Sequence, residues 1–408
     1  MDDITTFGRA IEFVAVALTL AIVVRVVAAR IGLPTAALLL TVTALASDFS
    51  ERLAGLLTFQ DVQRVATLAL IVILFDGGMG IGLRRFRSAA VPITVVGVVG
   101  TFATAPLVAI AAHYLLGFDW TVALLIGAAV APTDPAVTFS VLAGKEVEGR
   151  AGTILEGESG FNDPVGIALM IGMIELAIHP DASVAEVAVE FLREMGIGLA
   201  VGVGAGVVLL YLLRRVPLPD RSLYPITVLL GAFLTYGLAA ITHGSGFLAV
   251  FVAGIVIGDA AFPRRAEVRE FHTALADLGE LAVFVALGLT IELGFIFADS
   301  LWWQGLVLAV VLGFVVRPLV VLPLLLPARL SRGERLFVTF SGLKGAVPIL
   351  LASLAVVGGT EQSEEIYGIV FVIVLFSVAV QGTLVPTVAN RLGVPMIDAD
   401  HGPEDRQS

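Results

Sequence analysis

Cysteine is absent from the 408 residues, which excludes a disulfide framework, thiolate chemistry and any thiol metal site. Charge is scarce too. Only 14% of residues are charged and 58% are hydrophobic, where a soluble domain carries about 25% charged and about 45–50% apolar residues. A soluble fold of this length cannot hide so much apolar surface with so few charges for its exterior. The net charge is −11, and no basic groove with interleaved aromatics is present, so nucleic acid is not a supported partner. The opening Met1-Asp2-Asp3 lacks the positive n-region of a cleaved signal peptide, and the first apolar segment is expected to stay as a span. What abounds is apolar length. Stretches such as Ile11–Val27 and Thr94–Ala112 approach the ~20 residues that cross a ~30 Å hydrocarbon core, and shorter apolar runs such as Leu306–Val316 accompany them. With 43 glycines and 18 prolines, the composition suits a helical membrane bundle in which small residues let helices approach.

Apolar runs set against charged or Pro/Gly-rich breaks predict thirteen spans, at about 7–28, 33–48, 62–82, 90–115, 118–143, 151–178, 187–213, 223–242, 245–260, 273–292, 301–326, 334–357 and 365–389. The basic residues test this division independently. One set of alternate loops carries Arg30, then Arg84, Arg85 and Arg87, then Lys145 and Arg150, and so on to Arg391. The other set is mostly acidic, with only Arg9, Arg52, Arg64 and Arg193 as exceptions. This alternation places the N-terminus outside and the C-terminus in the cytoplasm of a bacterial or archaeal inner membrane. The transmembrane domain is expected to span 1–395, with 396–408 a short cytoplasmic tail.

Two spans are interrupted. The fifth reads Gly127-Ala-Ala-Val-Ala-Pro132-Thr133-Asp134-Pro135, and the twelfth reads Gly342-Leu-Lys344-Gly345-Ala-Val-Pro348. Proline inside a helix removes a backbone hydrogen bond and clashes with the preceding turn, so both stretches are expected to unwind. Freed backbone groups survive at membrane depth only in a cavity or buried in protein. Interruptions at corresponding places of two halves point to a secondary transporter's binding site. The correspondence holds here: repeat one covers about 7–178, a linker helix about 187–213, and repeat two about 223–389. Six spans, one connector and six spans give the repeats opposite membrane orientations.

Ionisable groups inside a bilayer demand a reason. The sixth span is densest, with Glu156, Glu158, Ser159, Asn162 and Asp163 before Pro164. Ser159 and Asp163 share one helix face, and Glu158 and Asn162 form a second i,i+4 pair beside it. The third span adds Asp76. Hard oxygens suit alkali and alkaline-earth ions rather than transition metals. The Asp134 and Asp163 carboxylates, the Ser159 hydroxyl and unwound carbonyls near Thr133 could therefore hold a dehydrated alkali cation. Cation and proton competing for Asp163 and Asp134 would give obligatory exchange, with a salt-bridged structural role as the alternative for each acid. The intramembrane cations Arg317 and Lys344 each call for an acidic partner, and Glu158 is the strongest candidate. Lys344 has a second option, offsetting carbonyl dipoles at its broken helix. His243, near an outer loop, reads as a pH sensor or a plain interfacial histidine, and Glu175 as a rim residue.

These motifs resemble the monovalent cation:proton antiporter-1 family, the NhaP-type sodium/proton and potassium/proton antiporters, and are most similar to its bacterial cell-volume branch. The resemblance rests on Ile73-Leu-Phe-Asp76-Gly-Gly-Met79, Thr133-Asp134-Pro135, Leu155-Glu-Gly-Glu158-Ser159-Gly-Phe-Asn162-Asp163-Pro164, Arg317-Pro318 and Gly342-Leu-Lys-Gly-Ala-Val-Pro348, and it covers nearly the whole chain in order. It implies an all-α polytopic fold of about thirteen helices, built as two inverted six-helix repeats with two broken crossing helices. It further implies a homodimer with a dimerisation part and a mobile core. Thr133, Asp134, Ser159 and Asp163 are implied to line the ion site with Asp76 nearby, and Glu158 to pair with an arginine. The Asn162-Asp163 pair marks a branch that looks electroneutral.

Two departures stand out. Lys344 occupies a position where the family usually has arginine, and the short segment after Arg391 leads to the expectation of no cytoplasmic regulatory domain. The reading is a transporter and not an enzyme, without a cofactor, carrying sodium or potassium against protons with potassium slightly favoured. A cation channel, a symporter of similar fold and an intramembrane aspartyl protease are the alternatives. The first lacks a Thr-Val-Gly-Tyr-Gly filter, the second is disfavoured by the many site acids, and the third lacks its Gly-x-Gly-Asp signature.

Overall fold

A computed structural model describes residues 2–50, 53, 55–134, 137, 138, 142, 145–179 and 181–398. Arg52, Pro135 and the tail beyond residue 398, all used above, lie outside them. Helices dominate. Eight helical stretches are long and apolar enough to cross a membrane, and four shorter apolar helices accompany them. The longest stretch, Phe59–Leu116, holds two of the expected spans. It is broken at Gly82, whose φ of 67° and ψ of 166° lie where only glycine sits without strain. The break is capped from another helix: the Arg84 amide donates to Asp259 Oδ2 at 2.6 Å.

Among the described residues the α-helices of eight or more residues are, in chain order, α1 (Asp2–Ile31), α2 (Thr35–Asp48), α3 (Phe59–Thr94), α4 (Thr101–Leu116), α5 (Trp120–Val130), α6 (Gly149–Ile178), α7 (Val184–Arg215), α8 (Leu223–Ile241), α9 (Gly246–Gly258), α10 (Arg265–Leu289), α11 (Leu301–Val311), α12 (Arg317–Leu324), α13 (Arg332–Phe340), α14 (Ala346–Gly358), α15 (Ser363–Phe376) and α16 (Thr383–Leu392). Wide π-helical turns join α3 to α4, α11 to α12 and α15 to α16.

Several boundaries differ from the sequence reading for physical reasons. The tenth span was expected from about residue 273, yet α10 starts at Arg265, so Arg265 and Arg269 sit on helix rather than in loop. Hydropathy marks only the part of a helix that lies in hydrocarbon, while backbone hydrogen bonding continues into the polar layer. The fifth span, expected over about 118–143 with a break at Pro132, opens with α5, which ends at Val130 just before that break, and most of 135–144 lies outside the described residues. Pro164 lies inside α6 with the helix continuing on both sides.

A further correction concerns strands. Lys145–Val147 pairs antiparallel with Met396–Asp398, and the Glu148 amide donates to the Pro395 carbonyl at 2.9 Å. The first residues of the expected short tail are thus paired with the chain just ahead of α6.

α9 packs on α3 and α7, while α10 packs on α3 and α2. Close approach of α3 and α9 depends on glycine. A Cβ on Gly78 would collide with the Phe251 carbonyl, and one on Gly254 with the Phe75 carbonyl. Such small-residue seams substitute for the hydrophobic driving force that lipid removes. Two short arms, α5 with 11 residues and α14 with 13, cannot cross a ~30 Å core alone. Each ends inside the protein, at an interruption.

Candidate functional site

The interruptions meet. Beyond α5 the chain leaves helical geometry at Ala131, Pro132, Thr133 and Asp134, and between α13 and α14 it does so at Gly342, Leu343, Lys344 and Gly345. Helix ends buried in this way leave orphan amides and carbonyls that need partners. The two segments supply them for each other: the Asp134 amide donates to the Leu343 carbonyl at 2.8 Å. Lys344 Nζ donates to the carbonyls of Ala131 at 2.9 Å and Pro132 at 2.8 Å. The last span closes the remainder. Ser377 Oγ accepts from the Lys344 amide at 2.9 Å, and Gln381 Nε2 donates to the Phe340 carbonyl at 2.6 Å.

Lys344 is 2% exposed and forms no ion pair among the described residues. The acidic partner expected for it from the sequence is replaced by two backbone carbonyls. A lysine ammonium suits this task because its three donors can turn to meet carbonyls that are not coplanar, whereas a guanidinium presents a rigid fork.

Arg317 does meet a carboxylate. Its Nη1 donates to Glu158 Oε1 at 2.7 Å and its Nη2 to Glu158 Oε2 at 3.0 Å, while Nε reaches the Thr339 carbonyl at 3.0 Å. Both partners are nearly sealed, with side chains 6% and 2% exposed. This fork geometry occupies both carboxylate oxygens, so Glu158 has little left for a cargo ion. Glu158 and Asn162 also tie α6 to the fifth span. Thr133 Oγ1 donates to Glu158 Oε1 at 3.3 Å and lies 3.2 Å from Ser159 Oγ, and Asn162 Nδ2 donates to Thr133 Oγ1 at 2.8 Å.

Asp163 stands apart from this bonded cluster. It is 5% exposed, and its Oδ1 finds no hydrogen-bond partner among the described residues. A buried carboxylate oxygen without a donor is costly, and such an atom is where a cation or a proton would repay its place. Asp163 shares a cavity of about 380 Å³ with Asp76, Asp134 and Ser159. The Asp134 carboxylate packs against Gly345, where any Cβ would collide with it. Asp76 Oδ1 accepts from Thr273 Oγ1 at 3.0 Å.

The structure therefore brings Thr133, Glu158, Ser159, Asn162 and Arg317 into one network. It places Asp76, Asp134, Ser159 and Asp163 on one cavity. His243 is exposed in the turn before α9 with a φ of 58°, and Glu175 pairs at 3.1 Å with the exposed His179. Neither reaches the cavity.

Other lining residues were missed: Asp277 and Glu280 on α10, and Arg85 beside Glu156 at 3.3 Å. The signal for the two acids was present, since both fall inside the span expected at 273–292 and an intramembrane acid is itself a flag. Arg85 gave no such signal, because it sits in what reads as an ordinary basic loop. Among the described residues no group of three or more His, Cys, Asp or Glu forms a metal centre.

A family model described as "Sodium/hydrogen exchanger, transmembrane" matches residues 14–391. The chain is 33% identical over 396 residues to a protein named K(+)/H(+) antiporter NhaP from Alkalimonas amylolytica, covering 96% of this chain and 68% of that one. It is 32% identical to K(+)/H(+) antiporter NhaP2 of Shewanella sp. (strain ANA-3), covering 89% and 63%. It is 28% identical to Na(+)/H(+) antiporter ApNhaP of Aphanothece halophytica, covering 79% and 63%. The chain thus spans roughly two thirds of the length of these relatives. In fold it is similar to the sodium proton antiporter MjNhaP1 from Methanocaldococcus jannaschii, with a TM-score of 0.79 at 23% identity, covering 95% of this chain and 99% of that one.

Proposed function

Because the chain belongs to the sodium/hydrogen exchanger transmembrane family, we propose that it exchanges a monovalent cation for protons across a cell membrane at the Asp134–Asp163 site. The observation that carries this reading is the buried Asp163 Oδ1, unpartnered and beside a cavity shared with Asp134 and Ser159. An anion held there in a low dielectric is stabilised either by a bound proton or by a bound cation, and poorly by neither. Competition for one site makes the exchange obligatory. Loading from one face, reorientation and unloading at the other completes a cycle of alternating access.

Asn162 favours a one-for-one exchange: it is neutral and spends its amide on Thr133, so positions 162 and 163 offer one carboxylate instead of two. Glu158 and Arg317 are structural in this reading, and Lys344 holds the unwound carbonyls. Thr133 and Ser159 supply hydroxyl oxygens to the cation, with Asp76 on its approach. The cation and the proton are cargo. No cofactor and no catalytic step enter.

The division into repeats at about 7–178 and 223–389, joined by a helix at about 187–213, is supported by the two interruptions standing fifth in each half. We place the N-terminus outside and the C-terminus in the cytoplasm of an inner membrane, on the alternation of basic loops, and read the assembly as a homodimer. Potassium is slightly favoured over sodium, since two of the relatives above are named as potassium/proton antiporters.

The test is cation-induced proton efflux from proteoliposomes with sodium, potassium, lithium and rubidium, for wild type and Asp163→Asn. Efflux from wild type alone is expected. Efflux that survived Asp163→Asn would remove that carboxylate from the site, and a cation leak without proton movement would point to a channel.

A further inference from the structure

The cavity has a second face that the site described so far does not use. α10 presents Arg269, Thr273, Ala276, Asp277, Glu280 and Val283 to it, a three-and-four spacing that puts one stripe of the helix along the ion path. Most charged groups around this stripe have partners. Thr273 donates to Asp76 at 3.0 Å, and Arg25, reaching across from α1, holds Asp277 at 3.2 Å. Arg85 is held by Glu156, by Thr153 Oγ1 at 3.2 Å and by the Gly80 carbonyl at 3.2 Å.

Glu280 is different. It is half-buried on the cavity wall and makes no hydrogen bond or ion pair among the described residues. The charged groups that face it are Asp277 on its own helix, Arg25 from α1 and Asp134 from the interrupted fifth span. Two of these three repel a carboxylate, and Arg25 is already committed to Asp277. Neither fold stability nor a salt-bridge network accounts for an acid here. A visiting positive ion does.

We propose that Glu280 is a relay carboxylate of the transport path, holding the incoming cation or the outgoing proton beside Asp134 before either reaches or after either leaves Asp163. The inference rests on the antiport reading given above and adds a residue to it. Glu280 acts as an approach stop, and the count of ions carried per turn stays with Asp163. An acid one step from the site raises the local cation concentration there, and it serves the proton on the opposite stroke.

The experiment uses the full chain in proteoliposomes and in detergent, with wild type, Glu280→Gln and Glu280→Asp. For Glu280→Gln, the apparent KM for potassium or sodium is expected to rise by about tenfold, the scale of one Coulomb term in a partly hydrated cavity. Its maximal rate should stay within about twofold, as for a residue that acts on loading. Glu280→Asp should recover most of the affinity, which packing alone would not produce from a shorter side chain. In detergent, adding the cation to wild type should release more protons per protein than adding it to Glu280→Gln.

An unchanged KM and unchanged proton release in a monodisperse Glu280→Gln protein would overturn the proposal. So would a fall in maximal rate at constant KM. If wild type itself moved no protons across the liposome membrane, the antiport reading would fail, while the detergent comparison would still decide whether Glu280 exchanges ions.

Discussion

Glu158 and Asp163 lie five residues apart on one helix, yet the protein treats them in opposite ways. Glu158 is locked into a two-pronged bond with Arg317, and Asp163 keeps an oxygen without a donor. Removing one partner of a buried ion pair leaves a charge with neither water nor counter-ion. Arg317→Met is therefore expected to destabilise the protein by about 3–5 kcal/mol, read as a lower unfolding temperature in detergent. Glu158→Gln combined with Arg317→Met should cost less than the sum of the two single changes, because the double variant leaves no bare charge. Asp163→Asn should leave stability nearly unchanged or improve it while abolishing exchange. Gly345 makes a third test: a methyl there collides with the Asp134 carboxylate. Gly345→Ala is expected to weaken cation affinity at least tenfold, measured as KM, through displacement of one ligand.

At the scale of elements, the two interrupted spans behave as one unit. Their orphan backbone groups are satisfied across the crossing, by Asp134 to Leu343 and by Lys344 to Ala131 and Pro132. Lys344→Met would strand two buried carbonyls at a cost of about 1–3 kcal/mol each. The expected result is a drop in thermal stability together with loss of transport, since the same bonds fix the unwound stretch that carries Thr133 and Asp134. Lys344→Arg tests the chemistry rather than the charge: a planar fork in place of three rotatable donors should restore stability only in part, read in the same melting assay. The short ladder between Lys145–Val147 and Met396–Asp398 fastens the end of the last span to the loop that leads into α6.

For the whole molecule, the cavity beside the site carries Arg85 and Arg269, which belong to the basic-loop side of the chain. The structure is expected to be open towards the cytoplasm. The natural lack of cysteine makes this simple to check. In the otherwise unaltered protein, Ala276→Cys on the cavity wall should react with a membrane-impermeant thiol reagent applied from the cytoplasmic face of oriented vesicles. Labelling should slow when saturating potassium or sodium is present. Labelling from the outer face alone would reverse the assigned orientation.

How far the sequence determined this protein follows from the kind of force involved. That the chain is a bundle of membrane-crossing apolar helices was legible, because hydrocarbon imposes a length and a composition that each segment must meet by itself. The interruption at Pro132 was legible because proline acts on its own backbone, whereas Pro348 lies in the first turn of α14 and the second interruption is the stretch 342–345 before it. The shared face of Ser159 and Asp163 was legible because helical spacing is local. Even the candidacy of Glu158 as the counter-charge followed from the cost of burying Arg317 alone. What the sequence could not settle was pairing across space. Lys344 meets backbone carbonyls, one of the two options its sequence left open, Glu280 and Asp277 join the cavity from α10, and the strand Met396–Asp398 pairs with one some 250 residues earlier. Carbonyls are the same at every residue and give no signal in a sequence. Only the packing of helices decides which carbonyl meets which donor, and which buried acid is left for an ion.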